Sequence, residues 1–309
     1  MNTVSFPLLG LTFDINRVAF SIGNLTVYWY GILIALGFLL AMVYASCRAP
    51  QFGAKSDDVV EAAIWGIIGG MIGARTYFVI YKWEDFKDNL LSIFEIWNGG
   101  IAIYGGLIGG ILAGFIVCKV RKVKFTAMLD LCSIGFLIGQ GIGRWGNFMN
   151  VEAYGEPMTV NLPWGMTSEK ILRELSNKGY AVTEGTLVHP CFLYESLWCL
   201  LGVLVLHLFS KHRRFDGEVA LLYCVWYGSE RFVVEGLRTD SLYWGSVRVS
   251  QALSAVLVVA AAIVWAVIRV KIHKAHDPLY LCPVGKLPTP TEEPSEPENE
   301  QEDDHGENH

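Results

Sequence analysis

Charge is scarce in this chain. Of its 309 residues only 17% are Asp, Glu, Lys or Arg, and 52% are hydrophobic. Ordinary soluble domains carry roughly 25% charged residues, so the composition excludes a soluble globular enzyme and points to a membrane protein. No two of the seven cysteines form a C-x-x-C pair, and most lie in apolar runs. Neither a disulfide framework nor a zinc site is expected, and the cysteines read as small buried hydrophobes. There is no H-E-x-x-H, no phosphate-binding P-loop and no Ser/His/Asp order, so no metal or cofactor is expected. Residues 1–24 hold one basic residue, Arg17. That falls short of the basic start of a cleaved leader, so no removal is expected.

The charge that is present is unevenly placed. The formal net charge of -6 comes from the end of the chain, where ten acidic residues from Asp277 to Glu307 face Lys286 alone. This Pro/Glu-rich segment, 277–309, cannot bury a core and is expected to be a disordered acidic tail. The rest, 1–276, reads as one transmembrane unit.

Seven apolar runs are long enough for spans of about 20 residues: one within 18–47, then 58–81, 96–118, 126–148, 189–210, 218–235 and 249–268. Between the fourth and fifth lie residues 150–190, a polar stretch with Pro157, Pro163 and Pro190 that suits a small head or arm outside the membrane. Basic residues set the orientation. Alternate short loops on one side hold twelve Lys and Arg, and the longer segments on the other hold eight. The expected fold is therefore an all-α polytopic membrane protein with seven transmembrane helices. Its N-terminus lies outside and its C-terminus in the cytoplasm.

Polar groups collect near the outward ends of these spans. The run from Gly139 to Gly155 holds Arg144, Asn147, Asn150 and Glu152 among five glycines. Such groups are costly at bilayer depth unless paired or facing a polar cavity. A cation beside amide donors suits phosphate, because the guanidinium fork matches its oxygens. In 218–235, Tyr227, Arg231 and Glu235 follow one another at four-residue intervals and share a helix face. Arg75 interrupts the second span, where snorkelling to the interface competes with a paired or functional role. Tyr30 lies in the aromatic group Tyr28, Trp29, Tyr30, where belt anchoring competes with a site role. His189 and Pro190 open the fifth span. Glu195 there suits the positive end of the helix dipole. Tyr104 stands beside Gly105 and Gly106, in a span whose glycines suit close helix packing. On these residues alone, a lipid-modifying enzyme and a transporter of an anionic lipid or solute remain equally open. A protein with packing glycines only leaves Arg144, Glu152 and Arg231 unexplained. No second copy of the 143–155 pattern is present, whereas inverted repeats would favour transport.

The pattern G-R-x-G-N-F-x-N-x-E-x-x-G is matched by Gly143, Arg144, Gly146, Asn147, Phe148, Asn150, Glu152 and Gly155. It resembles the signature of the bacterial prolipoprotein diacylglyceryl transferases. The resemblance extends over most of 17–271 and takes in Tyr30, Arg75, Gly99 to Gly110, His189, Glu195 and the Tyr227, Arg231, Glu235 set. It implies an enzyme of the bacterial plasma membrane. That enzyme moves a diacylglyceryl group from phosphatidylglycerol to the lipobox cysteine of a prolipoprotein signal peptide, forming a thioether and releasing glycerol phosphate. Its partners are then phosphatidylglycerol, the lipobox peptide and membrane lipids, with no nucleic acid. Arg144 and Arg231 are expected to stabilise the leaving phosphate, with Glu152 and Tyr104 beside the reaction. Asn147, Asn150, Gly155, Tyr30, Arg75, His189, Tyr227 and Glu235 are expected to bind or orient substrate. Many family members have a histidine, proposed as the base, where this chain has Tyr104. A neutral tyrosine, with a pKa near 10, is a poor base, so the proton acceptor stays open between the substrate phosphate, Glu152 and Tyr104.

Overall fold

A computed structural model of the chain describes residues 2–23, 25–95, 97, 99–239, 243–245 and 247–275. The acidic tail expected for 277–309 lies outside the described residues. Two antiparallel hairpins come first, β1 (Asn2–Phe6) with β2 (Leu11–Ile15) and β3 (Val18–Ile22) with β4 (Leu25–Tyr28). The helices are α1 (Trp29–Arg48), α2 (Ser56–Tyr81), the single turn α3 (Trp83–Phe86), α4 (Ile103–Val120), α5 (Phe125–Asn150), α6 (Glu169–Asn177), α7 (Cys191–Ser210), α8 (Glu218–Leu237) and α9 (Val249–Ala275). A short pair, β5 (Tyr243–Trp244) and β6 (Val247–Arg248), joins the last two helices.

Among the described residues, six helices are long and apolar enough to cross a membrane, beginning at Trp29, Ser56, Ile103, Phe125, Cys191 and Val249. The chain is a mostly helical multi-pass membrane protein. α8 is 20 residues long but carries Glu218, Glu230, Arg231 and Glu235, so its composition differs from that of the six.

The first run holds one span of about 20 residues, as expected, and one boundary, that of the run from residue 96, differs from the sequence expectation. The uncharged run from Val18 is not helical throughout, because its first part alternates apolar and polar residues and turns at Gly23 (φ 58°). That pattern favours a hairpin, and α1 begins only at Trp29. The run starting at residue 96 becomes helical only at Ile103, because Gly99 and Gly100 take φ of 82° and 75°, outside the helical region.

The helices pair through glycine. α5 runs antiparallel to α1, with Gly146 against Tyr30, Gly143 against Ile34 and Gly139 against Gly37. α2 and α4 approach more closely. A Cβ on Gly73 would lie 2.3 Å from the Gly105 carbonyl oxygen, and one on Gly69 would lie 2.8 Å from that of Gly109. In lipid such contact supplies the van der Waals packing that a hydrophobic effect cannot. α5 is the central helix, with Leu131, Ile134 and Leu137 fully buried. At its N-terminal end Asp130 accepts the backbone N–H groups of Gly217 and Ala220, both at 2.8 Å, and so caps α8 from outside. At its other end a small head forms from the first hairpin, α6 and the loops around it. Ser5 and Thr167 exchange two backbone hydrogen bonds of 2.9 Å, and Val4, Phe6, Ile171 and Leu175 fill the space beneath.

Candidate functional site

The site is built where the C-terminal end of α5 meets the N-terminal end of α7 and the C-terminal end of α8. Glu195, in the second turn of α7, is 2% exposed. Its carboxylate does not cap its own helix. It turns into the bundle and pairs with Arg144 of α5, with Arg231 of α8 at 3.8 Å and with Arg238, just beyond α8, at 3.9 Å. Arg231 also reaches Glu235 at 2.7 Å, one turn further along α8. Three guanidinium groups from separate segments thus converge on one buried carboxylate, each keeping 12–23% of its side chain exposed. The Glu195 Oε1 atom has no hydrogen-bond partner among the described residues. Both cations near it stand beyond hydrogen-bond reach. Tyr227 stacks on Tyr223 with ring centroids 5.8 Å apart, one turn below Arg231.

A second feature holds the turn after α5. Asn147 and Asn150 donate their side-chain amides to the same oxygen of Glu152, at 2.9 and 3.2 Å. The backbone on either side of Glu152 takes positive φ, at Val151 (φ 51°) and again at Ala153 (φ 55°), an unfavourable conformation for residues with a Cβ. The Lys170 ammonium from α6 donates to the Asn150 carbonyl at 2.7 Å. Gly155 follows, donating its N–H to the His189 carbonyl at 2.8 Å. A Cβ there would fall 2.7 Å from His189 Cβ and 3.1 Å from the Leu237 carbonyl oxygen, so only glycine fits. The turn is thereby sewn to the entry of α7 and the exit of α8, the two segments that carry Glu195 and Arg238.

His189 Nδ1 lies 3.2 Å from the Tyr194 hydroxyl, which also accepts the Trp164 indole N–H at 2.8 Å. Burial pushes the His189 imidazole below its ordinary pKa, with the Glu156 carboxylate opposing. Tyr30 packs on Gly146, where a Cβ would meet its ring at 2.7 Å, so it abuts the turn of α5 between Arg144 and Asn147.

Arg75 and Tyr104 belong to the α2–α4 pair. Arg75 is 8% exposed, and its guanidinium donates to the carbonyls of Ile93 and Ser92 at 2.7 Å and of Gly99 and Gly100 at 2.8 Å. It therefore folds the loop that delivers Tyr104, which is 57% exposed in the first turn of α4. Among the described residues no hydrogen bond or ion pair joins either of them to the Glu195 cluster.

Sequence reasoning singled out Arg144 and Arg231 but not the anion that unites them. Glu195 read as suited to the positive end of its own helix, and Arg238 was not among the residues singled out. A charge-pairing argument could have found Glu195: two arginines in apolar helices call for a carboxylate from another element.

Compared with known proteins, residues 17–267 match the family model described as "Prolipoprotein diacylglyceryl transferase". Proteins named phosphatidylglycerol–prolipoprotein diacylglyceryl transferase are similar over nearly their full length. The one from Finegoldia magna is 40% identical over 263 residues, covering 85% of this chain and 99% of that protein. The one from Clostridioides difficile is 42% identical over 248 residues, covering 80% and 93%. The one from Enterococcus faecalis is 43% identical over 254 residues, covering 81% and 90%.

Proposed function

Because the chain belongs to the prolipoprotein diacylglyceryl transferase family, we propose that its three arginines around Glu195 form the seat of the phosphatidylglycerol phosphate during transfer. The protein is a membrane transferase that moves the diacylglyceryl group of phosphatidylglycerol to a prolipoprotein, the first step of lipoprotein maturation. The observation that carries the site assignment is the convergence of Arg144, Arg231 and Arg238 on one buried carboxylate.

The reaction is a substitution at the glycerol carbon that bears the phosphate. A sulfur–carbon bond forms to the lipobox cysteine, the carbon–oxygen bond to phosphate breaks, and glycerol phosphate leaves. Negative charge grows on the phosphate as that bond breaks. Fixed guanidinium groups in a water-poor site stabilise this charge without reorganising. In the resting site Glu195 holds the arginines in place and offsets their charge. An arriving phosphate shares Arg144 and Arg231 with it, and Glu235 keeps Arg231 from swinging away. The thiol, with a pKa near 8.5 when free, must lose its proton, and the leaving phosphate can take it up. Glu152 serves as a positioning residue, since both neighbouring amides are spent on it. Tyr30 and Tyr227 border the arginines. Arg75 acts by folding the loop that presents Tyr104, and His189 acts from the head, where a lipobox peptide approaches.

The same reading takes α8 as a seventh span. At a rise of 1.5 Å per residue, 20 residues reach about 30 Å, and its Glu218 and Arg231 are paired with Arg269 of α9 and Glu195 of α7. It places the N-terminus and head outside the bacterial plasma membrane, and it takes 1–276 as the catalytic unit with an acidic tail beyond. The test is a transfer assay: purified protein, phosphatidylglycerol and a lipobox peptide, with the peptide mass followed. A diacylglyceryl gain on the cysteine peptide and none on its Cys→Ser counterpart is expected. Near-normal transfer by both Arg144→Ala and Arg231→Ala would refute the site.

A further inference from the structure

The hairpin of β3 and β4 is amphipathic in a way that neither the head nor the transfer site uses. Its pairing register sets Phe20 opposite Val27, Ser21 opposite Thr26 and Ile22 opposite Leu25. Residues directly opposite in an antiparallel pair share a face. Phe20, Ile22, Leu25 and Val27 therefore line one face. Ser21 and Thr26 lie on the other, their hydroxyls hydrogen-bonded at 3.5 Å. The apolar face is bare: Phe20 is 49% exposed, Ile22 69% and Leu25 67%. A lone two-stranded hairpin is marginally stable in water, and one that also exposes three large apolar side chains at its tip calls for a covering phase.

Its position says which phase. β4 runs without a break into α1, the first membrane-spanning helix, and the Trp29 N–H donates to the Arg17 carbonyl at 3.0 Å. That bond fastens the base of the hairpin to the first turn of the span. Tyr28 and Trp29, 44% and 40% exposed, stand at the junction as an aromatic pair of the interfacial kind. Leu25 is four residues from Trp29, a reach of about 13 Å in extended chain. The headgroup layer on each side of a bilayer is about 5–8 Å thick. That reach exceeds the layer's thickness, so a hairpin folded down from the end of α1 can bring its tip into it. Arg17 and Asp14 are the only charged residues among the described ones before Trp29, and both precede the hairpin.

We propose that the β3–β4 hairpin lies on the bilayer with Phe20, Ile22 and Leu25 inserted in the lipid interface, as an anchor that fixes the outer end of α1 in depth and tilt. Tyr30, two residues past the junction, packs on Gly146, so this anchor also sets the height of the transfer site against the lipid headgroups.

The test is site-directed spin labelling of the full chain in nanodiscs of phosphatidylethanolamine and phosphatidylglycerol, with Cys47 and Cys282 replaced by serine. Labels enter at Ile22→Cys and Leu25→Cys on the apolar face and at Ser21→Cys and Thr26→Cys on the polar face. Retained transferase activity certifies the fold of each variant. Power saturation with oxygen and with a water-soluble nickel chelate is then recorded. The proposal expects nickel accessibility several-fold lower, and oxygen accessibility higher, at Ile22 and Leu25 than at Ser21 and Thr26. Equal nickel accessibility on both faces would mean the hairpin stands in water and overturn it. Low accessibility of Ile22 and Leu25 to both reagents would mean that protein, such as a second copy, covers the face, and would overturn it as well.

Discussion

Glu195 on α7 and Arg231 on α8 face each other at 3.8 Å, the carboxylate buried and the guanidinium partly exposed, and the same carboxylate also holds Arg144. Glu195→Gln keeps the volume and removes the charge. We expect it to insert and fold but to lower transfer by at least about tenfold, equivalent to 1.36 kcal/mol in the barrier. Without the carboxylate, the three arginines repel one another and lose their common orientation. Glu195→Asp, which keeps the charge on a shorter arm, should recover part of that loss. Initial rates at saturating phosphatidylglycerol check both, and unchanged rates in Glu195→Gln would contradict the role.

The strain at Ala153 gives a prediction of the opposite sign. A left-handed conformation costs a residue with a Cβ roughly 1–2 kcal/mol, while glycine adopts it freely but loses more entropy on folding. Ala153→Gly should therefore stabilise the protein, by up to about 1 kcal/mol, seen as a higher midpoint of thermal unfolding in detergent. Val151→Gly relieves similar strain but empties a buried position, and should destabilise. A lower midpoint for Ala153→Gly would show that the turn does not persist in solution.

What the sequence made legible and what it did not divide along physical lines. Apolar runs bounded by charge announced the helices that begin at Ser56, Phe125, Cys191 and Val249 to within a few residues, because burial in lipid leaves a local signal. The β3–β4 hairpin hid inside such a run, since Val18 to Tyr28 is as uncharged as the helix after it. Arg144 and Arg231 were visible because ionisable groups are conspicuous in apolar surroundings. Their union through Glu195 and Arg238 was not, because it joins segments far apart in sequence, and no local pattern encodes such a pairing. Arg75 was conspicuous for the same reason, yet its acceptors are backbone carbonyls, which have no sequence signature.

His189 supplies a pH dependence. Its pKa is lowered in the folded protein from about 6.5. Between that value and the lowered one, the unfolded chain binds the proton that the folded one refuses. Stability contributed by the neutral ring is thus present above about pH 6.5 and is lost as pH falls through this window. Thermal unfolding midpoints between pH 7 and pH 5 should drop for the native sequence, and less steeply for His189→Gln. Parallel curves would mean that the ring is solvated in solution and its contact with Tyr194 transient.

Arg75 is the most heavily committed cation outside the Glu195 cluster, with its guanidinium serving four backbone carbonyls at 2.7–2.8 Å. Lysine can neither span those acceptors nor supply the planar fork that fits them. Arg75→Lys should therefore release the loop of residues 87–102 and with it the first turn of α4, although the charge is kept. Hydrogen exchange over that loop should rise, and transfer should fall to the extent that Tyr104 matters. Tyr104→Phe separates the two effects, because it removes the hydroxyl and leaves the loop folded. If Tyr104→Phe retains activity while Arg75→Lys loses it, the loop's shape is what the reaction needs. If both lose activity alike, the hydroxyl itself takes part, and Tyr104→His becomes the informative variant, since an imidazole accepts a proton near neutral pH where a neutral tyrosine does not.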